Sequence, residues 1–230
     1  MRPSPFHPCR YFAAVSALFL CFLLLAPMSG CRTGHVVSDP APPTSGNETV
    51  LILPFKDLAA IYGEDANIRC PLTGRLFMGG PVPSDMSEVM TTRLYELLEE
   101  GTGFRLISSD ELEKTGDARG PNSLASRKDL AAAGRRAGAD VVMIGHMYRF
   151  RERVGKKFAV ETPASVAFDV HMIRVSDGRL LWTGYLDETQ RSLSENLFNI
   201  GMFLEREGQW VTAQEMATKA LKYVMQPVLK

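Results

Sequence analysis

Cysteine is scarce in this chain, with four in 230 residues. Cys9 and Cys21 lie in an apolar amino-terminal stretch, Cys31 closes it, and Cys70 alone stands in the remainder. One cysteine cannot form an intramolecular disulfide, so a packed core must supply the stability, with Cys70 read as a buried thiol in preference to one half of an intermolecular bridge. A surplus of one charge sign is also missing: 26 Lys and Arg face 26 Asp and Glu. That excludes the strongly basic footprint of a nucleic-acid binder. The catalytic signatures are absent as well, with no G-x-S-x-G elbow, no H-E-x-x-H, no G-x-x-x-x-G-K and no G-x-G-x-x-G. No enzyme activity, cofactor or metal is therefore expected.

What is present begins at the amino terminus. Arg2 and Arg10 give a positive start, Tyr11 to Ala26 are apolar, and Met28-Ser29-Gly30-Cys31 ends the stretch with small residues before a cysteine. This is the layout of an export signal, and it resembles a lipobox, with Met28 where leucine is usual. The expectation is cleavage before Cys31 and lipidation of its thiol. Each buried acyl methylene contributes roughly 0.8 kcal/mol, and stable anchoring takes more than one chain. A lipobox cysteine carries three. Arg32 is not the aspartate that favours retention in the inner membrane, so the expected location is the inner leaflet of the outer membrane, facing the periplasm. Removing Arg2 and Arg10 with the signal leaves 24 basic against 26 acidic residues, net −2.

The chain divides into three segments: residues 1–30 as signal peptide, 31–48 as lipidated flexible tether, and 49–230 as one periplasmic domain. Pro40, Pro42, Pro43, Gly34 and Gly46 with scattered Ser and Thr make the tether too polar to repay ordering. In the domain, Val50 to Leu53 is a short apolar run ending at Pro54, consistent with a strand buried on both faces. A loop of some thirty residues, 56–83, contains Cys70 and two Gly-Pro punctuated turns. Met86, Met90, Leu94, Leu97 and Leu98 recur at helical spacing behind Asp85, with Glu88 as its capping partner. Phe104 to Ser108 is a second strand, and a short helix starts after Ser109. A helix spans Ser126 to Arg136 and stops at Gly138.

Asp140 to Val154 reads as a long strand, with Val142, Ile144, Tyr148 and Phe150 on one face and Met143, Met147, Arg149, Arg151 and Arg153 on the other. Ser165 to Val175 and Leu180 to Leu186 form a hairpin around Ser176-Asp177-Gly178. One helix falls within Leu193 to Glu207, and the last opens at Thr212 with Glu215 as capping partner. The fold class is α/β (α+β): a mixed sheet of about five strands, parallel crossovers then an antiparallel meander, covered by helices.

The VLILPF strand at Val50, the Asp140-Val-Val-Met-Ile-Gly145 strand and the SVAFDVHMIRVSDGRLLW hairpin together resemble a group of envelope lipoproteins. The group shares the fold of the curli-secretion lipoprotein, the TolB amino-terminal domain and the lipoprotein activator of penicillin-binding proteins. Pro163 to Asp169 and Asp187 to Gln190 are closer to uncharacterised lipoproteins of delta-proteobacterial type. The resemblance covers roughly Thr49 to Arg191 and implies partner binding or assembly in the envelope. It departs from the curli channel at Arg151 to Pro163, which is too short and charged for membrane-inserted strands.

Few residues invite chemistry. His146 and His171 fall on adjacent strands, and His171 shares a face with Asp169. Two histidines and one carboxylate without ligand spacing are a weak metal or acid–base signal, so they are read as sheet histidines with hydrogen-bonded partners. Cys70 lacks a C-x-x-C mate. Arg149, Arg151, Arg153 and Trp210 are the candidate partner-binding residues, the arginines for an anionic surface. A solvated strand end with cross-strand pairing, to Asp169 for instance, is the plainer reading of the arginines, while Trp182 is read as core. The resulting expectation is an outer-membrane-anchored, non-enzymatic lipoprotein that binds an envelope protein partner or assembles with an envelope machine. A ring-forming export component, or a glycan- or lipid-acting enzyme using the 56–83 loop, is the alternative.

Overall fold

A computed structural model describes residues 35–38, 46–108, 126–156, 159–190 and 211–229. Cys31, Trp210, and the helices expected after Ser109 and within Leu193 to Glu207 lie outside the described residues.

The five expected strands are all found: β2 (Thr49–Ile52), β6 (Arg105–Ser108), β7 (Val141–Arg151), β10 (Ser165–Arg174) and β11 (Leu180–Thr189). Two short strands enlarge the sheet to seven, β1 (His35–Ser38) and β3 (Lys56–Asp57). The spatial order is β1-β11-β10-β7-β2-β6, with β3 also against β7. β2 runs parallel to β6 and β7, whereas β10 is antiparallel to both β7 and β11. Parallel crossovers in the first half and an antiparallel meander in the second is the expected mixed topology.

Helices cover both faces. On one, α2 (Met86–Gly101) and α4 (Ala213–Met225) bury Met90, Leu94, Leu98, Met216, Leu221 and Val224 against Val50, Met143, Phe168, Val170 and Trp182. On the other, α1 (Leu58–Tyr62) and α3 (Arg127–Ala137) join a small hairpin, β4 (Asn67–Arg69) with β5 (Leu76–Met78). Leu58, Ile68, Phe77 and Leu130 pack there on Leu51, Val142, Ile144 and Ile173. α4 begins with the expected capping box of Thr212 and Glu215. α3 closes on Gly138, whose φ of 67° a glycine adopts without steric cost. None of the described helices is long and apolar enough to cross a membrane.

Several expectations are corrected. The 56–83 segment is not an unstructured loop: α1 and the β4–β5 hairpin form in it because Leu58, Ile68, Cys70, Leu72 and Phe77 find the sheet to bury against. Part of the expected tether is ordered too, since β1 pairs with β11 through backbone hydrogen bonds, which composition does not forecast. Asp85 precedes α2 in helical geometry with no side-chain capping bond, so the Asp85–Glu88 pair does not form. The long strand ends at Arg151, and the charged stretch beyond it makes a separate two-stranded pair, β8 (Val154–Lys156) with β9 (Ala159–Thr162).

The face assignment within β7 also changes. Its pairing with β10 slips by one residue between Met147 and Arg149. A bulge of this kind adds a residue to one strand and redirects the side chains beyond it. Phe150 therefore joins Met143 and Met147 on the α2–α4 side, while Arg149 stays with Tyr148 on the hairpin side.

Candidate functional site

β10 alternates cleanly. Val166, Phe168, Val170 and Met172 face α2 and α4, which leaves Ser165, Ala167, Asp169, His171 and Ile173 on the hairpin side. The register puts Asp169 opposite His146 of β7 and His171 opposite Ile144. Two strands thus place both histidines and the carboxylate on one sheet face, where the sequence led to the expectation only that Asp169 and His171 share one. The hairpin then adds what the spacing did not suggest. Cys70, directly after β4, is lowered onto this group from above, with its Sγ 3.5 Å from His171 Nε2.

The polar bonds are short and mutually supporting. Asp169 Oδ1 lies 2.8 Å from His146 Nδ1 and 2.9 Å from His171 Nε2, and Asp169 Oδ2 accepts from the Tyr148 hydroxyl at 2.7 Å. His171 Nδ1 lies 3.0 Å from Thr183 Oγ1 on β11. Cys70, His146, Asp169 and His171 are each at most 1 % exposed, and Tyr148 is fully buried. A buried carboxylate is tolerated only when such partners satisfy it.

The charges are set by this packing. Burial alone pushes the Asp169 carboxyl up, but His171 and His146 outweigh it and hold the group well below the usual carboxylate range. Burial pulls both imidazoles down, and Asp169 reverses this, raising His146 and carrying His171 to about 9. Burial raises the Cys70 thiol, yet hydrogen bonds from His146 and His171 bring it to about 6. Tyr148 is pushed far upward by burial and by Asp169, so it remains a neutral donor.

Aromatic side chains clamp the hairpin over the group. Phe77 stacks on Tyr148 with centroids 3.9 Å apart and planes 14° from parallel, and the Arg75 guanidinium lies 3.6 Å above the Tyr185 ring. Beside the turn, an open cleft of about 570 Å³ is bordered by Thr73 to Leu76 and by Leu180, Thr183 and Tyr185. Thr183 links the two regions, lining the cleft while its hydroxyl contacts His171. Chemically, the four side chains offer sulfur, two imidazole nitrogens and a carboxylate oxygen within 4.8 Å of one another, a set able to hold a metal ion.

The three candidate arginines separate. Arg149 is buried, donating to Ser165 Oγ at 2.6 Å, to the Met78 carbonyl at 2.8 Å and to Asp187 at 2.6 Å. It ties β7 to the hairpin and to β11, and its partner is Asp187 rather than Asp169. Its expected part in a surface stripe is thereby corrected, because the bulge turned it inward. Arg151 is exposed at the strand end, and Arg153 is half-buried beyond it, donating to the Gly155 carbonyl. Trp182 is core, as expected. Tyr148, Thr183 and the approach of Cys70 were not foreseen; Cys70 and His171 are 101 residues apart, and no local pattern joins them.

No protein-family model matches the chain, and no curated protein sequence matches it significantly. Solved structures do. A single-substitution variant of the PelC dodecamer from Paraburkholderia phytofirmans aligns with a TM-score of 0.50 at 15 % identity, over 85 % of this chain and 97 % of that one. A second crystal form of PelC gives 0.49 at 14 % identity over 86 % and 98 %. The LpoB carboxy-terminal domain from Salmonella enterica gives 0.38 at 17 % over 64 % and 84 %. At these identities the likeness to the PelC variant is one of fold.

Proposed function

We propose that this chain is a lipid-anchored component of a bacterial envelope that works by protein association rather than by turnover. The observation that carries the reading is the sealing of Cys70, His146, Asp169 and His171: the described residues best suited to nucleophilic or acid–base chemistry are all buried. A general base or nucleophile must come within hydrogen-bond reach of its substrate, and here the hairpin occupies that approach. This argues against the enzyme reading, even though the 56–83 segment does lie over His171 and Asp169.

The outside of the same hairpin supports association. Four of the six large apolar side chains that are about half exposed or more among the described residues, Ile61 and Tyr62 of the neighbouring α1 and Leu76 and Met78 of β5, fall in this one segment, and exposed apolar side chains are candidates for contact. Arg151 is available for an anionic contact. The lipobox supports anchoring through Cys31, with Arg32 favouring the outer membrane and its periplasmic side. Assembly with copies of itself is the second reading, supported by sharing a fold with a protein solved as a dodecamer.

A photo-activated cross-linker placed at Tyr62 or at Leu76 of the full lipoprotein in its native envelope tests the reading. Adducts with an envelope protein or a second copy are expected at one or both positions. Correctly localised protein that yields no adduct at either position contradicts it.

A further inference from the structure

We propose that Cys70, His146, Asp169 and His171 form a four-ligand site for a divalent transition metal of the zinc class. The donors come from three separate elements, the turn after β4, β7 and β10, and converge within 4.8 Å in the interior. Thiolate and imidazole donors suit zinc and cobalt, whereas calcium and magnesium prefer all-oxygen sets. Four protein ligands complete a tetrahedral shell, which is the composition of a closed structural centre rather than an open catalytic one. Such a centre is independent of the association reading and compatible with it.

Three of the six donor–donor separations are close to what such an ion requires, and the four donor atoms, which lie within 4.8 Å of one another, draw together around it. Bond lengths in zinc sites place sulfur and nitrogen ligands roughly 3.5 Å apart, and nitrogen and oxygen ligands roughly 3.3 Å apart. The Cys70 sulfur is 3.5 Å from His171 Nε2, so that edge is already set. The two Asp169–imidazole separations, 2.8 and 2.9 Å, are hydrogen-bond lengths that need to open by only about half an ångström. Ion uptake replaces the protons now shared between these atoms and releases them, as ligand deprotonation requires.

Supporting contacts strengthen the assignment. Metal-bound histidines usually engage their second nitrogen with a fixed partner, and ligating carboxylates are themselves hydrogen-bonded. His171 has Thr183 Oγ1 at its Nδ1, which leaves Nε2 facing the sulfur and the carboxylate. Asp169 has the Tyr148 hydroxyl on Oδ2, leaving Oδ1 between the two histidines. A purely structural polar network has no need of a thiol at its centre. Sulfur is a weak hydrogen-bonding atom, while as thiolate it is among the strongest zinc ligands.

The test uses the full lipoprotein extracted in mild detergent, stripped with chelator and titrated with Co²⁺, then Zn²⁺. One equivalent of Co²⁺ should bind with visible tetrahedral d–d bands and a near-ultraviolet thiolate-to-cobalt charge-transfer band, and Zn²⁺ should bleach both. Cys70→Ser should lose the charge-transfer band, and His171→Gln should lose tight binding. Because either variant could fail to fold, the native chain supplies a second reading: adding Zn²⁺ after stripping should raise its unfolding temperature. A stripped native chain that stays colourless with Co²⁺ and does not shift with Zn²⁺ overturns the proposal. So does a charge-transfer band that survives Cys70→Ser.

Discussion

Asp169→Asn should destabilise the domain by about 3–5 kcal/mol, the cost typical of breaking a buried ion pair by removing one partner. The amide keeps the shape and loses the charge. Asp169 is the acceptor shared by His146, His171 and Tyr148, so its neutralisation leaves two buried imidazoles without the group that holds their protons. For a domain of this size each 1 kcal/mol moves the unfolding temperature by roughly 2–4 °C, so a fall on the order of 10 °C is expected in chelator-containing buffer. Asp85→Asn is the control. Asp85 is exposed and makes no capping bond, and a surface change of that kind should stay within about 0.5 kcal/mol.

The pH dependence of that difference has a definite sign. The Asp169 carboxyl is depressed in the folded chain, so its contribution is fully present above its unfolded value of 3.8 and is lost as pH falls toward the folded one. The gap between the native chain and Asp169→Asn should therefore narrow below about pH 4, as the carboxyl takes up its proton, and should also narrow as pH rises from 6.5 toward about 9, where His171 and His146 lose the protons that Asp169 holds on them. Thermal unfolding of both proteins over that range provides the check. A gap that has already closed at neutral pH would mean that Asp169 is not the ionised centre of the cluster.

Gly145→Ala should cost about 3 kcal/mol, the upper end for overpacking a core. Gly145 sits in β7 immediately before His146, and a Cβ there would overlap three atoms of the Phe55 ring. Phe55 cannot move aside easily, because its ring packs edge-on against Phe168 at 6.5 Å and its amide is held by Thr91 Oγ1 at 2.8 Å. Phe55→Leu should lose some packing alone yet recover part of the loss when combined with Gly145→Ala. That coupling is what a double-mutant cycle measures. Additive losses would show that the ring does not constrain position 145.

Much of this architecture is legible in the sequence because burial leaves a periodic trace. The Val50–Leu53 run, the Thr212–Glu215 box, the stop at Gly138 and the alternation along Ser165 to Arg174 each carry a local physical signal. So does the shared face of Asp169 and His171. What stays hidden is whatever depends on distant contacts. The bulge at Tyr148 inserts a single residue, and period-two reasoning then fails for Phe150 and Arg149 alike. β1 is held by backbone pairing, which is indifferent to its polar neighbours. The segment around Cys70 has too few apolar residues to announce a fold, yet Ile68, Leu72 and Phe77 suffice once the sheet is there to receive them. The cluster needed that hairpin to close, so a loop reading of 56–83 could not reveal it.

Association without turnover requires the hairpin to keep Cys70 and its partners away from solvent and substrate. The labelling rate of the Cys70 thiol in the native, chelator-treated lipoprotein measures that directly. The predicted result is labelling no faster than the domain opens, accelerating only under denaturing conditions. Labelling of the folded chain at the rate of a free, exposed cysteine would contradict it and would make the cluster a candidate active site again.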